Sequence, residues 1–578
     1  MCGKTSIMYL KILSIRSLRS TLKFQIRKRF HSHHSYIIPS PLPNIDIPNA
    51  TVPDIIFERC GRFPEKIAVE CHVTGRRYTF EEIRRKALNL SQAIIKKFKL
   101  RKGDVVAVFL PNVPEFAICA LGLLKANLVI TTISPLATSD ELRRQLNDSG
   151  SKVIITTCSL YNTAKMSIPV PNMPILTIKT EKTDATPETA INFQELVDSP
   201  ANLDVNVYLE SSDIALMPFS SGTTGLPKGI LYSHRNLTAN VLQANAIDEI
   251  RVLETTTGNH QDVVPAILPF THMYGFGGLL MGGLYNLSKL VTVPKFSPDI
   301  FVNLFEKHQL TALYTVPATV QFIINSNRVD PKLLQSLRVV TIGSAPLSAL
   351  AQERFIKMSG KKIYVMQGYG SSECGILTTT RRINSSLGSI GIPVPNTEMK
   401  VVGVDNQAPL SEMEKGELWV KGPQVMKGYH NKPEETAKTI TDGWFKTGDM
   451  VRYDHNKNFY LIDRIKNMIK VKGYVVAPAE LQNIIRSYPN ILEVIVIGIP
   501  HDSYGEVPRA YVTTKPGTVV DTDKLKEFVS KKVSSYKDLK GGVLVMKELP
   551  RNNVGKYDHQ KLKLQYMEEV GNSHSSYS

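Results

Sequence analysis

No acidic residue precedes Asp46 in this chain of 578 residues, whereas Lys4, Lys11, Arg16, Arg19, Lys23, Arg27, Lys28 and Arg29 all do. That leader carries eight of the formal +18 charges, and the rest of the chain is only moderately basic. A nucleic-acid partner, which needs a basic face on the folded body, is not expected. Long apolar runs are also missing. The nearest to a membrane span, Phe116 to Ile133, is interrupted by Lys125 and Asn127, so no crossing helix is expected. The six cysteines (Cys2, Cys60, Cys71, Cys119, Cys158, Cys374) form no C-x-x-C pair and show no Cys/His metal spacing. They read as free thiols of a reducing compartment. What is present, 42% apolar and 21% charged residues, belongs to an ordinary globular protein, and the length implies two or more domains.

Residues 1 to about 34, basic, rich in Ser and free of acid, have the composition of a mitochondrial transit peptide. Met8, Ile12, Ile15, Leu22 and Ile26 share a helical face, with Lys11 and Arg19 intruding. Lys11 breaks the apolar core that a secretory signal would need; a disordered basic tail stays open as an alternative. The last residues, Ser575-Ser576-Tyr577-Ser578, lack a Ser-Lys-Leu peroxisomal address. The expected location is the mitochondrial matrix, with the cytosol as the alternative.

The chain has one polyanion cradle. Ser220 to Lys228 packs two Ser, two Thr, two Gly and one Lys into nine positions between apolar runs. Glycines let a phosphate reach backbone N–H groups, hydroxyls add donors, and Lys228 adds a compact charge. The spacing rejects the P-loop pattern G-x-x-x-x-G-K-[ST]: Gly222 and Gly225 have only two residues between them, and Gly229 stands where a metal-binding hydroxyl would be. The run after Lys228 reads as a strand, so the loop joins two strands instead of opening a helix.

Around it, a helical pattern over Phe80 to Phe98 alternates with strand-like Val105 to Leu110 and Val153 to Thr157, which argues for α/β architecture with largely parallel sheets. His272 follows strand-like Val263 to Leu268 in LPFTHMYGFGG. That segment has no Asp or Glu, so it lacks the buried carboxylate that an α-ammonium group would need, which counts against amino-acid activation. Beyond Met468, short strands (Met468 to Lys472, Val494 to Ile499, Arg509 to Thr514) and helices (Pro478 to Ser487, Asp523 to Val533) form a small α+β lobe.

The ten residues SSGTTGLPKG (220 to 229) resemble the signature loop of the AMP-forming adenylate superfamily. IYVMQGYGSSE, TDGWFKTGD and IDRIKNMIKVKGYVVAPAEL follow in the order the family requires. KGYVVAPAEL and KDLKGGV are most similar to the branch of 4-coumarate-CoA ligase and firefly luciferase. The resemblance implies a large α/β N-terminal domain (35 to 462, parallel-sheet subdomains plus a small β subdomain), a hinge at Asp463 to Lys466, and a small mobile α+β C-terminal domain (467 to 578).

It also implies the site. Ser220, Ser221, Gly222, Thr223, Thr224, Gly225 and Lys228 would close over the β- and γ-phosphates of ATP. His272 would lie near the substrate carboxylate, with Tyr274 and Gly278 walling the acyl group and Gly277 and Gly278 leaving room. Gly343, Ser344 and Ala345 would border the adenine, with Tyr369, beside Gly370, stacked on it. Ser372, in place of a commoner Thr, would contact the α-phosphate, and Glu373 would hold Mg²⁺. Asp449 would accept both ribose hydroxyls, a double acceptor that neither Asn nor Ser can copy, and Arg464 would add a second ribose contact. Asp449 is expected at the surface of the cleft, where it carries little core packing. Lys556 would drive adenylation, although Asn553 replaces the commoner Pro of its turn; Lys472 and Gly473 would face the site during thioester formation. Lys556, Glu373 and His272 are thus the expected catalytic groups; ATP, Mg²⁺, coenzyme A and a carboxylic acid, aromatic or a medium- or long-chain fatty acid, are the expected partners. A luciferase-like monooxygenase and an inert nucleotide-binding homologue are the alternatives.

Overall fold

The computed structural model describes residues 36–181, 183–200, 208–220, 227–326, 328–360, 363–471, 474–501, 503–552 and 556–575, the side chains of 570–575 excepted. The helix Phe80–Phe98 forms where its pattern predicts because both ends are specified. Thr79 accepts from the Glu82 amide while the Glu82 carboxylate reaches back to the Thr79 amide, and Lys99 turns left-handed (φ 53°) to stop it. Ile83, Ala87, Leu90 and Ile94, spaced four, three and four apart, form its buried stripe. They pack on the apolar helix Glu115–Lys125, where a Cβ on Gly122 would lie 2.9 Å from the Ala87 carbonyl oxygen. Only glycine lets the two helices approach so closely.

These helices flank an eight-stranded sheet whose central strands Val105–Phe109, Val129–Ile133 and Val153–Thr157 are parallel. Their apolar runs follow from burial on both faces. At one side Ile214–Leu216 joins in parallel at Leu216 opposite Ile130, and Ile230–Ser233 then returns antiparallel to it. The glycine-rich segment therefore connects two strands that pair antiparallel, in line with the strand-loop-strand reading. A second sheet sets Ala312–Thr315, Val339–Ile342 and Tyr364–Ser371 parallel before turning back through Gly375–Thr379. A third is built on Val263–Ala266, Lys289–Thr292 and Ile67–Cys71. Six strands, among them Gly416–Lys421, Trp444–Tyr453 and Phe459–Arg464, make an antiparallel sheet.

The last sheet belongs to a smaller lobe. Ile469–Val471, Tyr474–Val476, Ile491–His501, Gly505–Thr514 and Val543–Val545 form it, with helices Pro478–Arg486 and Thr522–Ser530 packed against it. Its core, from Ile469 to Val543, shares no residue with the large core that ends at Phe459. The architecture is thus a large α/β body with a small β sheet, followed by a small α+β lobe. Among the described residues no helix is long and apolar enough to cross a membrane, and all five described cysteines are free.

Candidate active site

The polar residues converge where the hairpin loop, the turn between Tyr364–Ser371 and Gly375–Thr379, and the strand Trp444–Tyr453 meet. Ser221, Gly222, Thr223, Thr224 and Gly225 lie outside the described residues, as do Lys472, Gly473 and Asn553. The base of the loop is closed by the Ser220 amide donating to the Lys228 carbonyl (2.9 Å) and the Lys228 amide donating to Ser220 Oγ (3.2 Å). The Lys228 ammonium lies 5.1 Å from the Tyr429 ring centroid and pairs with Glu435 at 2.6 Å. The Tyr429 hydroxyl donates to Glu373 Oε1 at 3.2 Å, so one aromatic side chain links the loop lysine to the expected metal ligand.

The Glu373 turn is held from behind by the Tyr232 hydroxyl on the Ser372 carbonyl (2.9 Å) and by the Met426 amide on the Glu373 carbonyl (2.8 Å). Gly370 could be nothing else: a Cβ there would fall 1.9 Å from the Gly375 carbonyl oxygen across the hairpin. Tyr369, one residue earlier, donates its hydroxyl to Asp449 Oδ2 at 2.7 Å, and Arg464 Nε lies 3.1 Å from Oδ1. Register explains the second contact, because Asp449 and Arg464 face each other across paired strands. The expectation that Asp449 sits at the surface is corrected. It is 3% exposed and engaged at both oxygens, so it carries structure whatever it binds.

Gly343 is buried, while Ser344 and Ala345 open to solvent beside it. Ser344 adopts φ 69°, a left-handed strain for a residue with a Cβ, and Gln367 fixes the segment through hydrogen bonds to the backbone of Leu347 at 2.6 and 3.2 Å.

From the small lobe, Asn552 and Lys556 exchange hydrogen bonds of 2.8 and 3.0 Å. Lys556 reaches solvent on one side and is surrounded by protein on the other. That lost hydration, then repulsion from Arg464, lowers its ammonium below the ordinary lysine value, against the pull of Asp449 and Glu373. Lys466 feels the same three charges and is pulled down to about 8, mainly by burial. His272 is held near 4 by burial and then by the Lys556 charge, so it is a neutral imidazole at pH 7. Lys556 of the small lobe thus lies within electrostatic reach of His272, Asp449 and Glu373.

His272 leads into a π-helix, Tyr274–Met281, a form concentrated at functional sites. The Tyr274 hydroxyl donates to the Thr341 carbonyl at 3.1 Å, and its ring fills the space between Gly343, where a Cβ would meet it at 2.8 Å, and Gly278, where a Cβ would meet it at 3.3 Å. The room expected beside Gly277 and Gly278 is thus already taken. Tyr274 occupies one side and Asn240 the other, where a Gly277 Cβ would lie 3.1 Å from Oδ1.

With this geometry, comparison with known proteins is decisive. Residues 56–430 match the family described as AMP-binding enzyme, and residues 480–556 match its C-terminal domain. The chain belongs to the AMP-binding enzyme family. It is 32% identical over 528 residues to 4-coumarate–CoA ligase 3 of Oryza sativa subsp. japonica (90% of this chain, 93% of the relative). It is also 32% identical over 545 residues to 4-coumarate:CoA ligase 1 of Petunia hybrida (93% and 98%). ATP-bound MatB from Rhodopseudomonas palustris has the same fold, with a TM-score of 0.80 at 24% identity over 89% of this chain and 99% of that one. So has a benzoate CoA ligase from Burkholderia xenovorans LB400, with a TM-score of 0.79 at 21% identity over 89% and 100%.

Sequence reading of this AMP-binding enzyme missed four residues. The sequence places Lys466 only within the pivot, because its lowered ammonium depends on burial that the fold creates. Tyr429, Glu435 and Asn240 gave none, because their roles arise from contacts such as Lys228 to Glu435, 207 residues apart. Among the described residues no three His, Cys, Asp or Glu side chains cluster as a metal cage. A single carboxylate, Glu373, linked through Tyr429 to Lys228, would suit Mg²⁺, which takes one or two protein carboxylates and completes its shell with phosphates and water.

Proposed function

We propose that this AMP-binding enzyme is an acid–thiol ligase. A carboxylate attacks the α-phosphorus of ATP to give acyl-adenylate and pyrophosphate; the thiol of coenzyme A then displaces AMP to give the thioester. The observation that carries this is the convergence of Asp449, tied to Tyr369 and Arg464, with Glu373, linked through Tyr429 to Lys228, within electrostatic reach of Lys556. The barrier is electrostatic, since both reacting groups are anions. Two unit charges about 4 Å apart repel by roughly 4 kcal/mol at an effective dielectric of 20, and preorganised cations offset this where water is excluded. Lys556 supplies one such cation, and Lys228 another once nucleotide phosphates replace Glu435. Mg²⁺ held by Glu373 would supply Lewis-acid stabilisation to the phosphates. Neutral His272 can donate a hydrogen bond to the incoming carboxylate without forming an ion pair that would quench its nucleophilicity.

The acid is proposed to be aromatic, supported by the names of the curated relatives and by the ring-lined, acid-free wall at Tyr274 and Tyr314, which stand 6.1 Å apart. Asp463 to Lys466 is proposed as the pivot. The Asp463 carboxylate accepts from the Arg464 amide at 2.7 Å and from the Ala479 amide of the small lobe at 3.0 Å, a contact that rotation must break. A mitochondrial address for residues 1 to 34 stays a proposal on composition alone. Import of a reporter fused to residues 1 to 45 tests it, and diffuse cytosolic signal would refute it. The activity itself is tested by pyrophosphate release across a panel of carboxylic acids, with the acyl-CoA product identified by mass. Pyrophosphate without thioester would point away from a ligase.

A further inference from the structure

The helix Phe80–Phe98 ends in a run of cations. Lys99, its left-handed cap (φ 53°), stands where glycine or asparagine is usual. With Lys97, Arg101 and Lys152 it lines a cleft of about 550 Å³, whose remaining wall is largely apolar: Phe98, Leu100, Val153 and Pro174. Lys97 also borders a second cleft of about 380 Å³, to which Lys96 contributes. The two clefts therefore adjoin.

Against these five cations stand only two acids, Asp104 in the first cleft and Glu195 in the second. Asp104 already accepts the Arg101 amide at 2.7 Å. None of the five cations forms an ion pair among the described residues, whereas Lys86, Lys102 and Lys125 of the same body are paired with Asp198, Asp213 and Asp54. Lys96 and Lys97 have an ordinary reason to be there, since they complement the negative end of their helix. That reason does not extend to Arg101 and Lys152, which come from the following loop and from the residue before the strand Val153–Thr157. Cations drawn from separate segments into one concavity repel each other, and a cleft lined by one sign of charge concentrates counter-ions.

The clefts are remote from the glycine-rich loop. Val105 and Val153 begin central parallel strands, and the loop is reached only after the parallel strand Ile214–Leu216 has run forward to the Phe219–Gly229 bridge. The two features thus lie at opposite ends of the sheet.

We propose that the adjoining clefts are a second anion site, separate from the nucleotide site, which takes a ligand carrying at least two phosphate groups. Lysine ammonium groups are compact point charges suited to phosphate. Their excess over the two acids is more than a single carboxylate can balance. The volume is that of a small-molecule pocket, which selects a phosphorylated compound or a lipid headgroup over a macromolecular surface.

Tripolyphosphate tests this by calorimetry on the full chain, with the nucleotide site filled by a non-hydrolysable ATP analogue. Lys97→Gln combined with Lys152→Gln should weaken its binding tenfold or more, with the melting temperature and the affinity for ATP unchanged. Lys102→Gln combined with Lys125→Gln removes two charges that are paired outside the clefts, and should change the binding by less than twofold. Pelleting with vesicles of phosphatidylglycerol in phosphatidylcholine, if lost in the first variant, identifies a lipid headgroup as the source of the phosphate. Tripolyphosphate binding without such a loss identifies a soluble phosphorylated compound. Tripolyphosphate binding that is absent, that survives in the first variant, or that falls equally in both variants overturns the proposal.

Discussion

The nucleotide end and the acyl end of the cleft solve opposite problems. At the nucleotide end the charged groups are already paired with each other: Asp449 with Tyr369 and Arg464, Lys228 with Glu435, Glu373 with Tyr429. In the proposed site, ATP binding would exchange these partners for phosphate and ribose oxygens, so these groups are not left unpaired in the free protein. At the proposed acyl end His272 is held neutral, Tyr274 is tied to a backbone carbonyl, and the Asn240 amide donor has no partner among the described residues. An end that binds the same nucleotide every time can be pre-satisfied, whereas the acyl end is kept uncharged.

Four perturbations separate the two ends, beginning with the largest expected effect. Lys556→Ala should lower overall turnover by about 10²–10³-fold, the usual loss for a group that stabilises developing charge; steady-state rates measure it. Asp449→Ala should abolish detectable ATP binding and also destabilise the fold by about 1–3 kcal/mol, because it strands the buried Tyr369 hydroxyl and leaves Arg464 without its partner. Nucleotide titration beside chemical denaturation checks both; loss of binding with unchanged stability would return Asp449 to a purely surface role.

The third is pH dependence. His272 and His234 are both held near 4 by burial, well below the 6.5 of the unfolded chain. The native state therefore binds fewer protons than the unfolded state between those values. The associated stability is fully present above pH 6.5 and is lost as pH falls toward 4. Denaturation at pH 7.5 and pH 5 should show the loss, and His234→Gln, which removes the wholly buried ring, should reduce the slope. The smallest effect is expected from Glu435→Gln. Freed of its competitor, Lys228 should bind ATP severalfold more tightly, with the KM of the acid unchanged, as steady-state kinetics would show.

Local chemistry was legible in the sequence where it was self-contained. The amphipathic pattern over Phe80 to Phe98 marked a helix, and the structure starts it there because Thr79 and Glu82 cap it. The apolar run after Lys228 read as a strand, so that the loop joins two strands, and the order of the motifs indicated a large α/β body followed by a small lobe. Asp449 was recognised but misplaced in depth, because its burial is set by Tyr369 and Arg464, neither adjacent in sequence. The glycines at 277 and 278 suggested space that Asn240 and Tyr274 fill from other segments, and the π-helical winding of Tyr274–Met281 has no periodic signature in so glycine-rich a stretch. Glu435 and Lys466 acquire meaning only from long-range electrostatics.

The central claim is that Lys556, delivered by the small lobe, serves the first half-reaction and has no part in the second. Assaying Lys556→Ala with a synthetic acyl-adenylate and coenzyme A tests this most directly. Thioester formation from the supplied adenylate should proceed within about threefold of the unaltered enzyme, while adenylate formation from acid and ATP falls by the full 10²–10³-fold expected for a lost charge-stabilising group. Equal slowing of both half-reactions would contradict the account.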